Sequence, residues 1–175
     1  MVIDRVRVKR MSGGLALAGT LLALAPLVAL GHGGDHEKKG AAKQSAMTVE
    51  ATPFGRAGDA KKASRTIRID MSDAMRFAPA EITIRAGETV RFEVRNSGRI
   101  LHEMVLGRME DLKHHAELMK KFPGMEHDEP HMVHVAPGRE GTFVWQFDRA
   151  GEFHYGCLIP GHFEAGMVGR VRVNP

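Results

Sequence analysis

Gly156-Cys157-Leu158-Ile159-Pro160-Gly161-His162-Phe163-Glu164-Ala165-Gly166-Met167 sets a thiol, an imidazole and a thioether along one stretch, with four residues on each side of the histidine before the sulfur donors. A cysteine ending one strand and a methionine opening the next converge on one point if the chain between them folds back, and Pro160 with Gly161 supplies that turn. The fourth donor must come from elsewhere. His102 is the best candidate, because it follows a turn at Asn96-Ser97-Gly98 and precedes the apolar Met104, Val105 and Leu106. Two imidazoles and a thiolate in a trigonal plane with a weak axial thioether are the donor set of a blue-copper type centre. Zinc competes, but a methionine in fourth position is atypical of structural zinc. A catalytic cysteine assisted by histidine is the other rival, yet nothing puts Cys157 at a helix N-terminus or beside an orienting carboxylate.

Outward from this stretch the texture is that of strands and turns. Thr66 to Asp70 and Ile82 to Ile84 alternate apolar with polar, and Val90, Phe92 and Val94 face away from Arg91, Glu93 and Arg95. Met132 to Val135, Gly141 to Phe147, Glu152 to Tyr155 and Met167 to Val173 read likewise, separated by Pro and Gly. Between Met109 and Lys121 the period changes. Met109, Leu112, Ala116 and Met119 recur at three and four, and Pro123-Gly124 closes one short inserted helix. The pattern predicts an all-β chain: an antiparallel sandwich of about seven or eight strands.

Upstream, Arg5, Arg7, Lys9 and Arg10 precede an apolar run from Leu15 to Leu30 that ends in small residues, the plan of a secretory signal peptide over residues 1–31. The run is too short for the roughly 20 residues of a membrane span, so the mature chain is not expected to span a membrane. Its removal takes most of the formal +4 with it and leaves about +1, a balance that does not suggest nucleic acid. Residues 32–62, rich in Gly, Ala and Lys without periodicity, read as a flexible His-containing tail, and residues 63–175 as the folded domain. Export, to the periplasm of a Gram-negative cell, places the single cysteine in an oxidising compartment, where an unpaired thiol needs protection.

From Arg65 to Val173 the chain resembles the cupredoxins, the plastocyanin and azurin group of small copper proteins. The resemblance is carried by Phe77-Ala78-Pro79-Ala80-Glu81-Ile82, the Gly87 turn, Val90-Arg91-Phe92, Asn96 to Gly98, His102, and the Cys157 to Met167 loop, which is similar to that of rusticyanin-like members. It implies a Greek-key sandwich, a copper cofactor, and His102, Cys157, His162 and Met167 as its ligands. Three features depart from simple members: Glu103 stands where several have an Asn that ties the ligand loops, an insertion runs from Gly107 to Pro130, and the tail carries histidines. With these additions the chain looks most like periplasmic cupredoxins associated with copper tolerance.

Other donors remain. Met125, His127, His131, Met132 and His134 form a cluster suited to a second copper, against the alternative that they divide between strand faces and solvent. In the tail, His32 and His36 could chelate Cu(II) through an N-terminal amine and imidazoles, or be incidental solvated residues. His114 and His115 read as surface residues and His154 as a packed one. The expected function is one-electron exchange with a redox protein partner in copper tolerance. A chaperone or sequestering protein is the alternative. The length allows one domain, which argues against the multi-domain copper enzymes and leaves room only for a weak cuprous oxidase activity.

Overall fold

A computed structural model describes residues 51–125 and 127–175; the signal peptide, His32 and His36 lie outside the described residues. The strands are β1 (Arg56–Ala57), β2 (Arg65–Ser72), β3 (Arg76–Ala78), β4 (Glu81–Arg85), β5 (Thr89–Asn96), β6 (His102–Gly107), β7 (Met132–Val135), β8 (Glu140–Gln146), β9 (Gly151–Gly156) and β10 (Val168–Asn174), with helix α1 (Met109–Lys121) between β6 and β7. They form two five-stranded sheets, ordered β1-β8-β5-β2-β3 and β4-β10-β9-β6-β7. The sandwich is therefore as expected, with short β1 and β3 and the buried β6 raising the strand count. It is not wholly antiparallel, since β2 runs parallel to β5 and β10 parallel to β4. Those pairs arise because each sheet receives strands from non-adjacent parts of the chain, which alternation within a strand does not reveal.

Alternation does predict the core. In β5, Val90, Phe92 and Val94 are fully buried, and each such side chain contributes on the order of 1.5–3 kcal/mol relative to exposure. Phe92 stacks on Phe143 of β8 at 4.8 Å between ring centroids. By contrast, all six residues of β6 are buried, so its sequence does not alternate. One face looks into the sandwich and the other is covered by α1, whose Leu112, Ala116 and Met119 pack with Val105, Met132 and Leu158. The helix has Glu110 and Asp111 in its first turn and Lys120 and Lys121 in its last, charges that complement its dipole. Arg108 clamps Asp111 through two hydrogen bonds at 2.7 and 2.8 Å.

The boundary expected at Lys62 also shifts. Phe54, assigned by composition to the tail, is buried and stacks on Trp145 at 5.3 Å, while Trp145 Nε1 donates to its carbonyl at 3.1 Å. Arg56 and Ala57 then pair with Gln146 and Trp145 as an edge strand. A single aromatic among small and charged residues left no periodic signal for this docking.

Candidate metal centre

His102 opens β6 directly after a turn that Asn96 holds shut. The buried Asn96 amide donates to the carbonyls of Ile100 and Val135, both at 2.8 Å, and its Oδ1 accepts from Gly98 N at 2.9 Å. This delivers the His102 ring into the interior, where it is fully buried. Its Nε2 lies 3.1 Å from Asp73 Oδ1, and Asp73 Oδ2 accepts from Arg99 N at 2.8 Å. The Arg99 amide, then the His102 ring, hold the Asp73 carboxyl below its ordinary range. An ionised Asp73 can only accept, so Nε2–H donates to it and Nδ1 is left with the free electron pair. That Nδ1 is buried with no hydrogen-bond partner.

Cys157 follows β9 and Met167 precedes β10, and the chain between them folds back on itself. Cys157 N donates to Met167 O and Met167 N to His162 O, each at 3.1 Å, while Gly161 and Gly166 take φ of +91° and +85° where a side chain would be strained. The turn brings His162 Nδ1 to 3.2 Å from Cys157 Sγ. One donor atom each from His102, Cys157 and His162 lies within 4.8 Å of the others. Burial pushes the Cys157 thiol up to about 12, with the Glu103 amide, 3.5 Å from the sulfur, acting in the opposite sense. Burial first, then the neighbouring His102, lower His162. Met167 is fully buried and its backbone brackets Cys157.

These residues fit a thiophilic metal. A buried imidazole nitrogen without a partner is costly unless something accepts its lone pair, and a thiolate is formed outright by a coordinated cation despite burial. Around the donors, Glu103 performs the tie expected of an Asn: its Oε1 accepts from Leu158 N at 2.8 Å and joins β6 to the ligand loop. The inserted helix reaches the same loop, where Lys120 pairs with Glu164 at 3.3 Å and Glu164 in turn accepts from Gly161 N at 3.0 Å.

The second group of donors is divided. His131 packs its ring against Phe54 and Trp145 at 5.2 and 5.6 Å, and Met132 is buried beneath α1. Met125 is exposed. His127 and His134 instead come together with Glu103, one donor atom of each lying within 4.8 Å of the others. His114 is exposed, His115 half-buried, and His154 half-buried on β9. Sequence reasoning missed Asp73 altogether. It lies twenty-nine residues before His102 in a turn, with no local signal beyond its charge.

Residues 63–174 match the family described as copper binding proteins, plastocyanin/azurin family. The copper-resistant cuproprotein CopI of Rubrivivax gelatinosus is 57% identical, the match covering 81% of this chain and 84% of that one. The protein of the same name from Pseudomonas aeruginosa is 34% identical over 77% of this chain and 90% of its own. Among solved structures, reduced auracyanin from Roseiflexus castenholzii superposes with a TM-score of 0.56 at 22% identity, covering 65% of this chain and 99% of that one. Auracyanin B gives 0.57 at 20%, covering 70% and 97%. At those identities the structures speak to the fold alone. Fold, family match and donor chemistry agree, and the chain belongs to the plastocyanin/azurin family of copper-binding proteins.

Proposed function

We propose that the chain is an exported type 1 copper protein that exchanges one electron between Cu(I) and Cu(II) in periplasmic copper tolerance, with His102, Cys157, His162 and Met167 as ligands. The observation that carries this reading is the convergence of His102, Cys157 and His162 donors about a buried, unpartnered His102 Nδ1. Copper, when bound, supplies a one-electron couple that soft sulfur and borderline imidazole donors hold in both oxidation states. The chain's own part is to keep those donors fixed. Asp73 orients His102, the Asn96 turn and the Glu103–Leu158 bond lock the two loops together, and Met167, buried just before β10, ends the loop that carries Cys157 and His162. Small rearrangement between states follows from such bracing.

His162 is only half-buried, and Ile100 and Leu101 are exposed at 43% and 46% beside it in the same groove. An apolar rim around a ligand edge suits transient docking of a redox protein. The names of the relatives support copper tolerance as the setting, and the residue 1–31 pattern supports export. Among the described residues, no helix is long and apolar enough to cross a membrane. A sequestering role is the second reading, favoured by the further imidazoles on the same groove. Reversible voltammetry and fast self-exchange of the loaded protein, with loss of copper tolerance in cells carrying Cys157→Ser, test the electron-exchange reading. Copper delivery to an acceptor without redox turnover would replace it with the second.

A further inference from the structure

Glu103 and His134 face each other as a cross-strand pair of β6 and β7, and His127 approaches them from the loop after α1. The Glu103 carboxylate is fully buried, and its two oxygens have different duties. Oε1 accepts from Leu158 N. Oε2 lies 2.7 Å from His134 Nε2 and is a buried acceptor without a hydrogen-bond donor. His127 repeats the pattern from the other side. Its Nδ1 lies 3.2 Å from Met125 O, leaving Nε2 buried and unpartnered. The rings of His115 and His134 stand 4.5 and 5.6 Å from that of His127, centroid to centroid.

An ordinary surface ion pair would align its donor with its acceptor and leave a third group to solvent. Here one donor atom from each of three segments crowds within 4.8 Å of the others, and Glu103 Oε2 and His127 Nε2, both buried, have no hydrogen bond. That is the arrangement of ligands around a shared cation. We propose that Glu103, His127 and His134 form a second metal site, taking a divalent ion of the class that favours mixed imidazole and carboxylate ligation, with Cu(II) preferred. Two imidazoles and one carboxylate suit Cu(II) or Zn(II), and Cu(II) stands higher in the order of affinities. The donors open onto a groove that also contains Met125 and His162, which provides an entry path and room for water as a further ligand.

The site stands independently of the ligand assignment of the first centre, although the two meet at His102 and Glu103, consecutive residues of one strand. Its carboxylate also braces the loop that carries Cys157. The second site is thus built into the bracing of the first and is not an accident of the surface.

The test uses the full chain carrying His32→Ala and His36→Ala, which removes the tail histidines, titrated with Cu(II). The expected result is two coppers per chain by native mass spectrometry. One carries the thiolate-to-copper band, and the other a paramagnetic resonance signal with the wide parallel hyperfine splitting of nitrogen and oxygen ligation. Adding His127→Ala and His134→Ala should reduce the count to one, remove the second signal and leave the band unchanged, which also reports an intact fold. Glu103→Gln, which still accepts from Leu158 N, should also weaken the second copper. A count of one before the His127 and His134 changes, or an unaltered second signal after them, overturns the proposal. Failure of the first-centre reading would look different: no band, with a second signal still lost on removing His127 and His134.

Discussion

Two groups of donors lie on either side of the His102–Glu103 peptide, and they differ in how they are held. His102, Cys157 and His162 are drawn from strand ends and a tight loop, each braced by a named partner: Asp73, the Glu103 amide, and the backbone of Ile159. Glu103, His127 and His134 combine one buried carboxylate with a half-buried loop histidine and an exposed strand histidine. The first group is pre-organised and shielded, which suits a metal that must change charge without rearrangement. The second is open to the groove, which suits a metal that must come and go. With metal at both, preorganisation and softness would separate two chemistries within one short region.

The comparison breaks most decisively at the sulfur. Cys157→Ser should abolish the intense visible band completely while leaving far-ultraviolet circular dichroism unchanged, because serine is nearly isosteric; the groove site should still take metal. A band that survives would remove the sulfur from the centre. Removing the brace is next in size. Asp73→Ala frees the His102 ring to turn, and loss of such an outer partner typically costs about 10–100-fold in metal affinity. Competition with a chelator should read that loss at the first site, and affinity at the Glu103 group should be unmoved. If affinity at both sites is unchanged, Asp73 is a bystander.

Met167→Leu should raise the reduction potential with copper retained, since a weak axial donor favours Cu(II) slightly over Cu(I). Voltammetry checks the sign, and complete loss of copper would instead make Met167 a strong ligand or a folding determinant. The smallest effect concerns the metal-free protein. Burial raises the Cys157 thiol from an ordinary 9.0 to about 12. Between those values the unfolded chain has lost the proton and the folded chain keeps it, so this group's contribution to stability is full below pH 9 and declines as pH rises towards 12. Denaturant unfolding of the metal-free protein should show an alkaline loss that Cys157→Ser lacks; parallel pH profiles of the two proteins would contradict the burial argument.

What could be read from the chain in advance follows from where the signals are local. The loop from Cys157 to Met167 carried its own turn and donors, and helix α1 spans Met109–Lys121 as its period requires. Val90, Phe92 and Val94 announced their buried face by alternation. β6 could not be read this way, because the helix that buries its second face is a later segment. Asp73 and the Glu103 carboxylate escaped for the same reason: their partners, His102 and Leu158, are brought to them only by the tertiary fold, across 29 and 55 residues. Phe54 was lost among small and charged neighbours, although Trp145, the one tryptophan, needed a stacking partner.

The central claim is that the buried thiol and two imidazoles are the ligands of a type 1 copper. Titration of the purified protein with Cu(II), followed together by visible absorption and paramagnetic resonance, tests it most directly. The account predicts an intense thiolate-to-copper band that grows to saturation at one equivalent, accompanied by a narrow parallel hyperfine splitting. Full copper loading with only weak visible absorption and a wide splitting from the first equivalent would contradict it.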